Sequence, residues 1–389
     1  NYWTGNECRL FEKEFTEAVG SKYAIALSNG TAALEIALKV IKLREGDEVI
    51  VTPRTFIASV SSVVNSGGIP IFADVDLNSG NINGSNIEKV LTSRTRAIIC
   101  VHLGGWPCDM SSIMEIAQKH KLYVIEDCAQ AHGAVYKNQS VGSIGHIGCW
   151  SFCQDKIMTT GGEGGMVSTN DRELWSRMWA YKDHGKSWEA VYEREHPPGF
   201  RWLHESFGTN WRMTEMQAAI GRIQLTRMDN WSSKRLANAN AIWNAAKQLN
   251  GLRVPALACD GCTGSCNHSK SCTHAAYKCY VYVDGTEDDR DEIMVSINDQ
   301  GVPCFSGSCS EVYLEAAFDN TSFRPQDRSP NAKLLGETSL MFLCHPTLTE
   351  DEIHKTCEVM TSVVTNYFAC PGVTSPQSLA ATPNVLTQL

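Results

Sequence analysis

The sequence predicts an α/β fold: a large, mostly parallel sheet domain with a smaller α/β domain after it. Three observations carry the α/β reading. Apolar strand-like runs alternate with amphipathic helical stretches over the first two-thirds of the chain. The strand runs are near-continuous in Val, Ile and Leu, as expected for strands covered on both faces. The 389 residues are enough for a sizeable core and two domains.

The elements follow in order. "YAIALS" (Tyr23–Ser28) is a strand and "NGTAALEIALKVIKL" a helix. "EVIVTP", "IPIFADV", "RAIICVHL" and "LYVIED" are further strands. "TFIASVSSVVNSG", "SNIEKVL" and "SSIMEIAQKH" are the helices between them. A long helical segment is expected from Met213 to about Leu249. "YKCYVYVD" (Tyr277–Asp284) alternates like a half-exposed strand, and "DRDEIMVSINDQG" is a helix ending at Gly301. The expected division is 1–250 for the large cofactor-binding domain and 251–370 for the small domain. Residues 371–389, rich in Pro, Ser and Thr without charge, are expected to form a disordered tail. No internal repeat is visible.

A net charge of -9 argues against a nucleic-acid partner. No apolar run reaches the roughly 18–20 residues that span a bilayer, so no membrane association is expected. No signal pattern precedes the first strand, and the start at Asn1 points to a processed or trimmed terminus. Eleven of sixteen cysteines are scattered, several in apolar strands, which favours a reducing cytoplasm over a disulfide framework.

In sheets of this kind ligands bind beyond the strand C-terminal ends. Ser28-Asn-Gly-Thr-Ala-Ala33 follows the first strand. Gly30 and the N–H groups of the helix start can cradle an anion, or form a plain helix cap. Glu126-Asp127-Cys-Ala-Gln130 follows "LYVI", and a carboxylate there faces a cation such as a protonated ring nitrogen, caps a helix, or joins a structural ion pair. Then comes "SFCQDKIMTTGGEGGM" (Ser151–Met166). Its Lys156 lies 29 positions beyond Asp127 and is either a Schiff-base lysine or a solvated loop charge. The coincidence favours chemistry, because pyridoxal 5'-phosphate needs a phosphate cradle, a carboxylate on its pyridinium nitrogen and a lysine.

The motifs "SNGTAAL", "TPRTFIAS", "VIEDCAQAHGA", "SFCQDKIMTTGGEGGM", "FGTNWRMTEMQAAIGRIQL" and "HPTLTEDEI" resemble those of the DegT/DnrJ/EryC1/StrS sugar aminotransferases over about residues 5–365. The resemblance implies a pyridoxal-phosphate transaminase with the aspartate-aminotransferase-like fold (type I). It makes Lys156 the Schiff-base lysine and Asp127 the partner of the pyridine nitrogen. Gln130 would lie near the cofactor's 3-hydroxyl. Ser151 with Gly30 and Thr31 would hold the phosphate, and Phe56 would stack on the ring. Asn210 would be lent by the neighbouring subunit, which implies a homodimer with shared active sites. A dehydrating branch of the family has histidine where Lys156 stands, so transamination is expected, with L-glutamate as amino donor. The glycine run is one residue longer than the common "TGEGG" form.

The stretches "HLGGWPCDM", "YKDHGKSW", "HPPGFRWLHESFGTNWRM" and "GSCSEVYLEAAF" resemble the branch that aminates the C8 aldehyde of oxidised Kdo (3-deoxy-D-manno-octulosonate) for lipopolysaccharide. A nucleotide-linked keto-hexose is the alternative acceptor. Arg54, Lys182, His184, Lys186, Arg201, His204 and Arg212 lie in or near the motif loops. They either bind an anionic substrate or are solvated charges. Trp106, Trp188 and Trp202 either line a sugar pocket or belong to the core. Cys259, Cys262, Cys266 and Cys272 have spacing compatible with a structural zinc site, or lie in a metal-free loop.

Overall fold

A computed structural model of the chain describes residues 5–255 and 272–369. Its strands in chain order are β1 (Tyr23–Leu27), β2 (Glu48–Val51), β3 (Ile69–Phe72), β4 (Thr95–Val101), β5 (Tyr123–Asp127), β6 (Val135–Tyr136), β7 (Gln139–Ser140), β8 (Ile147–Ser151), β9 (Gly165–Thr169), β10 (Leu252–Arg253), β11 (Cys279–Val283), β12 (Cys304–Phe305) and β13 (Ser339–Phe342). Seven form one sheet in the order β1-β9-β8-β5-β4-β2-β3. β3, β2, β4, β5 and β8 are parallel neighbours. β9 runs against both β8 and β1. The reversal follows from the connection: residues 152–164 carry no crossover helix, and a parallel pair needs one. The glycine-rich end of that loop was not expected to supply a strand.

Both faces of the sheet are buried, and strand alternation assigns each residue to a side. Val49, Val51, Ile99 and Ile147 face the helices Gly30–Val40 and Ala58–Asn65. Ile50, Ile98 and Val124 face the other way, into a cluster with Trp106 and Trp243. That cluster continues into the second sheet through Tyr280, Val281 and Phe342. The second sheet, β10-β11-β13-β12, is antiparallel throughout.

Two expectations are corrected. β11 is buried along its whole length instead of half-exposed. Tyr280 and Tyr282 lie under the Arg54 guanidinium, and the helices Met228–Ala246 and Pro330–Thr338 pack on the same strand. The segment 213–249 is two helices, Glu215–Leu225 and Met228–Ala246. Thr226, the C-cap of the first, folds its hydroxyl back onto the Ile223 carbonyl (2.8 Å). Among the described residues no helix is long and apolar enough to cross a membrane. Cys259, Cys262, Cys266 and the segment 371–389 lie outside the described residues. Cys272 is buried and accepts from Lys137 N (3.3 Å).

Candidate active site

A cleft of about 960 Å³ opens at the C-terminal ends of β1, β5 and β8, with the start of β11 as its far wall. Gly30, Thr31, Phe56, Asp127, Gln130, Ser151 and Lys156 all line it.

The helix Gly30–Val40 begins at the cleft. Asn29 caps it by accepting from Ala32 N (2.8 Å), so the plain cap and the anion cradle coexist. The N–H groups of Gly30 and Thr31 precede any helical acceptor and remain available to a ligand. Ser151, the last residue of β8, closes over this turn. A Cβ on Gly30 would lie 2.6 Å from the Ser151 Cβ, so only glycine permits the approach.

At the end of β5, neighbouring side chains point to opposite faces, and this separates the two carboxylates. Glu126 turns away from the cleft. It accepts from the N–H groups of Gly142 (2.7 Å), Ile144 (2.9 Å) and Gly145 (2.6 Å) and meets His102 Nε2 (3.1 Å). It is structural. Asp127 faces the cleft, 5% exposed; among the described residues it accepts from Ser59 Oγ (2.8 Å) and Ala129 N (3.1 Å). Burial raises its carboxyl above the ordinary value, opposed by the Ser59 and Ala129 hydrogen bonds. A buried carboxylate with two donors and no bonded cation suits a cationic ring nitrogen. Gln130 Oε1 accepts from Gly104 N (2.7 Å), which fixes the amide at the cleft edge.

Lys156 follows β8. Its Nζ lies 3.0 Å from Asp155 Oδ2 and 5.4 Å above the Tyr277 ring. The glycine loop behind it turns through Gly161 (φ 86°) and Gly162 (φ 118°), positions closed to most side chains. Gln217 Nε2, on the helix Glu215–Leu225, ties the loop to that helix by donating to the Glu163 carbonyl (2.8 Å). Phe56 is 68% exposed on the cleft wall.

The other candidates lie elsewhere. Arg54 is buried between the two sheets, bonded to Tyr282 Oη (2.9 Å) and Ser310 Oγ (3.2 Å). Lys186 and Arg212 both bind Asp183 Oδ1 (3.2 and 3.1 Å). His184 is exposed, with a backbone bond to Thr209 O (3.0 Å), and Arg201 lies in an exposed stretch. Asn210 is exposed and accepts from Arg212 Nε (2.9 Å). None of these six lines the cleft of its own chain. Trp106 is buried against Trp243, Trp188 packs on Trp175, Trp179 and Tyr192, and Trp202 is exposed. None of the three lines the cleft. Lys182 is buried as well, and burial lowers its pKa.

Sequence reasoning missed Ser59, Asp155, Tyr277 and Lys278. Asp155 carried a signal, being next to Lys156. Tyr277 and Lys278 carried none, since only the fold brings the start of β11 to this cleft.

An N–H cradle with a serine, a buried carboxylate and a lysine in one cleft fit a group with an anionic end, a basic ring nitrogen and a carbonyl. Fold and site thus define the class: a pyridoxal 5'-phosphate-dependent aminotransferase of fold type I. The chain belongs to the DegT/DnrJ/EryC1/StrS aminotransferase family, whose family model matches residues 1–361. It is 44% identical to GDP-perosamine synthase of Escherichia coli O157:H7, over 59% of this chain and 60% of that enzyme. It is 33% identical to the spore coat polysaccharide biosynthesis protein SpsC of Bacillus subtilis, over 92% of this chain and 90% of that one. Among solved structures, the aminotransferase from Psychrobacter cryohalolentis is 63% identical with a TM-score of 0.90, covering 95% of this chain and 93% of that one.

Proposed function

We propose that the protein is a sugar aminotransferase that moves the amino group of L-glutamate to the C8 aldehyde of oxidised Kdo, giving 8-amino-Kdo for lipopolysaccharide. The observation that carries the transaminase part is the meeting of Lys156, Asp127 and the Gly30–Thr31–Ser151 cradle in one cleft. When bound, the cofactor supplies an electron sink that stores the amino group between the two half-reactions. The chain's own residues do the rest. Gly30, Thr31 and Ser151 would hold the phosphate. Asp127 would keep the ring nitrogen protonated. Gln130 would lie near the 3-hydroxyl, and Phe56 would pack against the ring. Lys156 would carry the covalent link and, when free, would serve as base and then acid for the proton that moves in each half-reaction.

A second copy completes the site. Asn210 lies outside its own chain's cleft, as a residue lent across an interface would. Met216, Ile220 and Ile223 expose one apolar face of the helix Glu215–Leu225, next to the glycine loop.

The acceptor reading has one physical support. Beyond Lys156, the described cleft lining has a single cation, Lys278, whose Nζ bonds Ser308 Oγ (3.1 Å). One cation per chain suits a sugar carboxylate better than a diphosphate. A nucleotide-linked keto-hexose is the second reading, favoured by the likeness to GDP-perosamine synthase. The two separate in one assay: the pyridoxamine form is mixed with each candidate carbonyl sugar, and the cofactor absorbance is followed back to the aldehyde form. Oxidised Kdo should restore it. Restoration by a GDP-linked 4-keto-hexose, with oxidised Kdo inert, would overturn the first reading.

A further inference from the structure

We propose that Asp155 and Tyr277 are positioning residues for Lys156. In this arrangement the Asp155 carboxylate, anchored by the Tyr277 hydroxyl, holds the lysine nitrogen toward the cleft whenever that nitrogen is not joined to the cofactor. This rests on the reading of Lys156 as the cofactor-linked lysine.

One oxygen is shared. Asp155 Oδ2 accepts from Lys156 Nζ (3.0 Å) and from Tyr277 Oη (2.8 Å). All three residues line the same cleft. The Lys156 side chain is 17% exposed and that of Asp155 39%, so solvent screens the pair less than an open surface pair. Tyr277 is a firm anchor because its backbone is tied down. Tyr277 N and Lys278 N both donate to Gly104 O (3.0 and 3.1 Å). The same Gly104 donates its N–H to Gln130. The turn that fixes Gln130 therefore also fixes the group that holds Asp155.

The charges agree with this geometry. Burial pushes the Asp155 carboxyl up, but Lys156 and the Tyr277 hydroxyl outweigh it and hold the carboxyl below its ordinary value. Burial, and then the Asp155 charge, push the Tyr277 phenol up, so it stays a donor. The other titratable groups around Lys156 are Asp127, His132, Cys153, Glu163 and Lys278. Among the described residues, Lys156 Nζ hydrogen-bonds Asp155 and none of these groups.

A free long side chain would sample many rotamers between proton transfers, and the Asp155 bond removes most of them. In this reading neutral Lys156 would take a proton from a substrate carbon, forming an N–H bond, and the C–H electron pair would pass to the electron sink that the cofactor supplies. The resulting ammonium rests against the Asp155 carboxylate. Returning the proton breaks that N–H bond and leaves the amine on the same acceptor. Asp155 and Tyr277 keep their protonation states throughout.

The test uses the full-length chain, stripped of cofactor and loaded with it. Limiting acetic anhydride is added at one mildly alkaline pH, and acylation at Lys156 is read by peptide mass against an exposed lysine in the same digest. Asn keeps an acceptor oxygen but not the charge. In the stripped chain, Asp155→Asn should therefore raise the Lys156 acylation rate on the order of threefold to tenfold. Tyr277→Phe should raise it less. In the loaded chain, Asp155→Asn should lower kcat about tenfold with KM for the amino donor unchanged. Equal acylation rates in the stripped wild type and Asp155→Asn, or an unchanged kcat, overturn the inference. The loaded wild type serves as the control for the underlying reading: Lys156 should be protected there. Loss of that protection would overturn the cofactor assignment itself, a different failure.

Discussion

Asp127, Gln130, Ser151 and the Gly30–Thr31 turn come from separate parts of the chain and meet in one cleft. Lys186, Arg201, His204 and Arg212 are crowded into one short stretch, and none of them reaches that cleft. The difference lies in how each charge is balanced. In the 182–212 segment, Asp183 draws Lys186 and Arg212 to a single oxygen. On the cleft floor, Asp127 is buried with hydrogen-bond donors but no salt bridge. A buried charge left without a counter-charge points to a ligand, whereas a cluster of basic residues that has its own acid does not.

The contrast can be broken at its strongest point by Lys156→Ala. Turnover should fall about 10⁴-fold or more, with loss of the lysine-linked cofactor absorbance. Full activity in that variant would remove Lys156 from the chemistry. Asp127→Asn comes next. In the loaded enzyme kcat should fall about 10²–10³-fold, the scale of the ~3–5 kcal/mol for taking one partner from a buried charge pair.

Stripped of cofactor, the same variant should behave oppositely. Folding raises the Asp127 carboxyl above its ordinary 3.8. The stability it contributes is full below that pH and is lost as pH rises through the folded value. Asparagine cannot ionise and escapes this loss. The stripped variant should melt above the stripped wild type at neutral pH, with the gap closing toward pH 4. Equal melting temperatures at both would show that Asp127 carries no burial strain.

Two milder substitutions sharpen the comparison. Lys278→Ala, on the cleft wall, should raise KM for the anionic acceptor about tenfold with little change in kcat. Lys186→Ala, in the basic segment, should change both constants within one chain's site by less than about twofold, because its charge is held by Asp183. Steady-state kinetics on both variants decide the matter. A larger effect from Lys186 than from Lys278 would reverse the assignment of the two regions.

Much of the fold was legible because burial on both faces leaves a plain apolar signature in β2, β4 and β5. The cleft floor was legible because its residues sit at strand ends: Asp127 and Ser151 close β5 and β8, and Gly30 and Gln130 lie three positions past β1 and β5. β9 was not, since a strand beginning in glycine offers little side-chain pattern. β11 was misjudged because its Tyr and Cys residues alternate like a half-exposed strand. Its tyrosines are in fact covered by Arg54 from a loop more than two hundred positions away.

By itself the sequence determined the strands β1 to β5, their order along the chain and the residues near their C-terminal ends, because strand periodicity and turn chemistry are local. The tertiary structure alone decided which of the adjacent carboxylates Glu126 and Asp127 faces the cleft. It also decided that Arg54 is withdrawn between the two sheets and that Tyr277 meets Asp155 beside Lys156. Those outcomes depend on which distant groups arrive as neighbours. A charge in a folded chain is directed by the partners that packing brings within hydrogen-bond reach, and spacing along the chain does not record them.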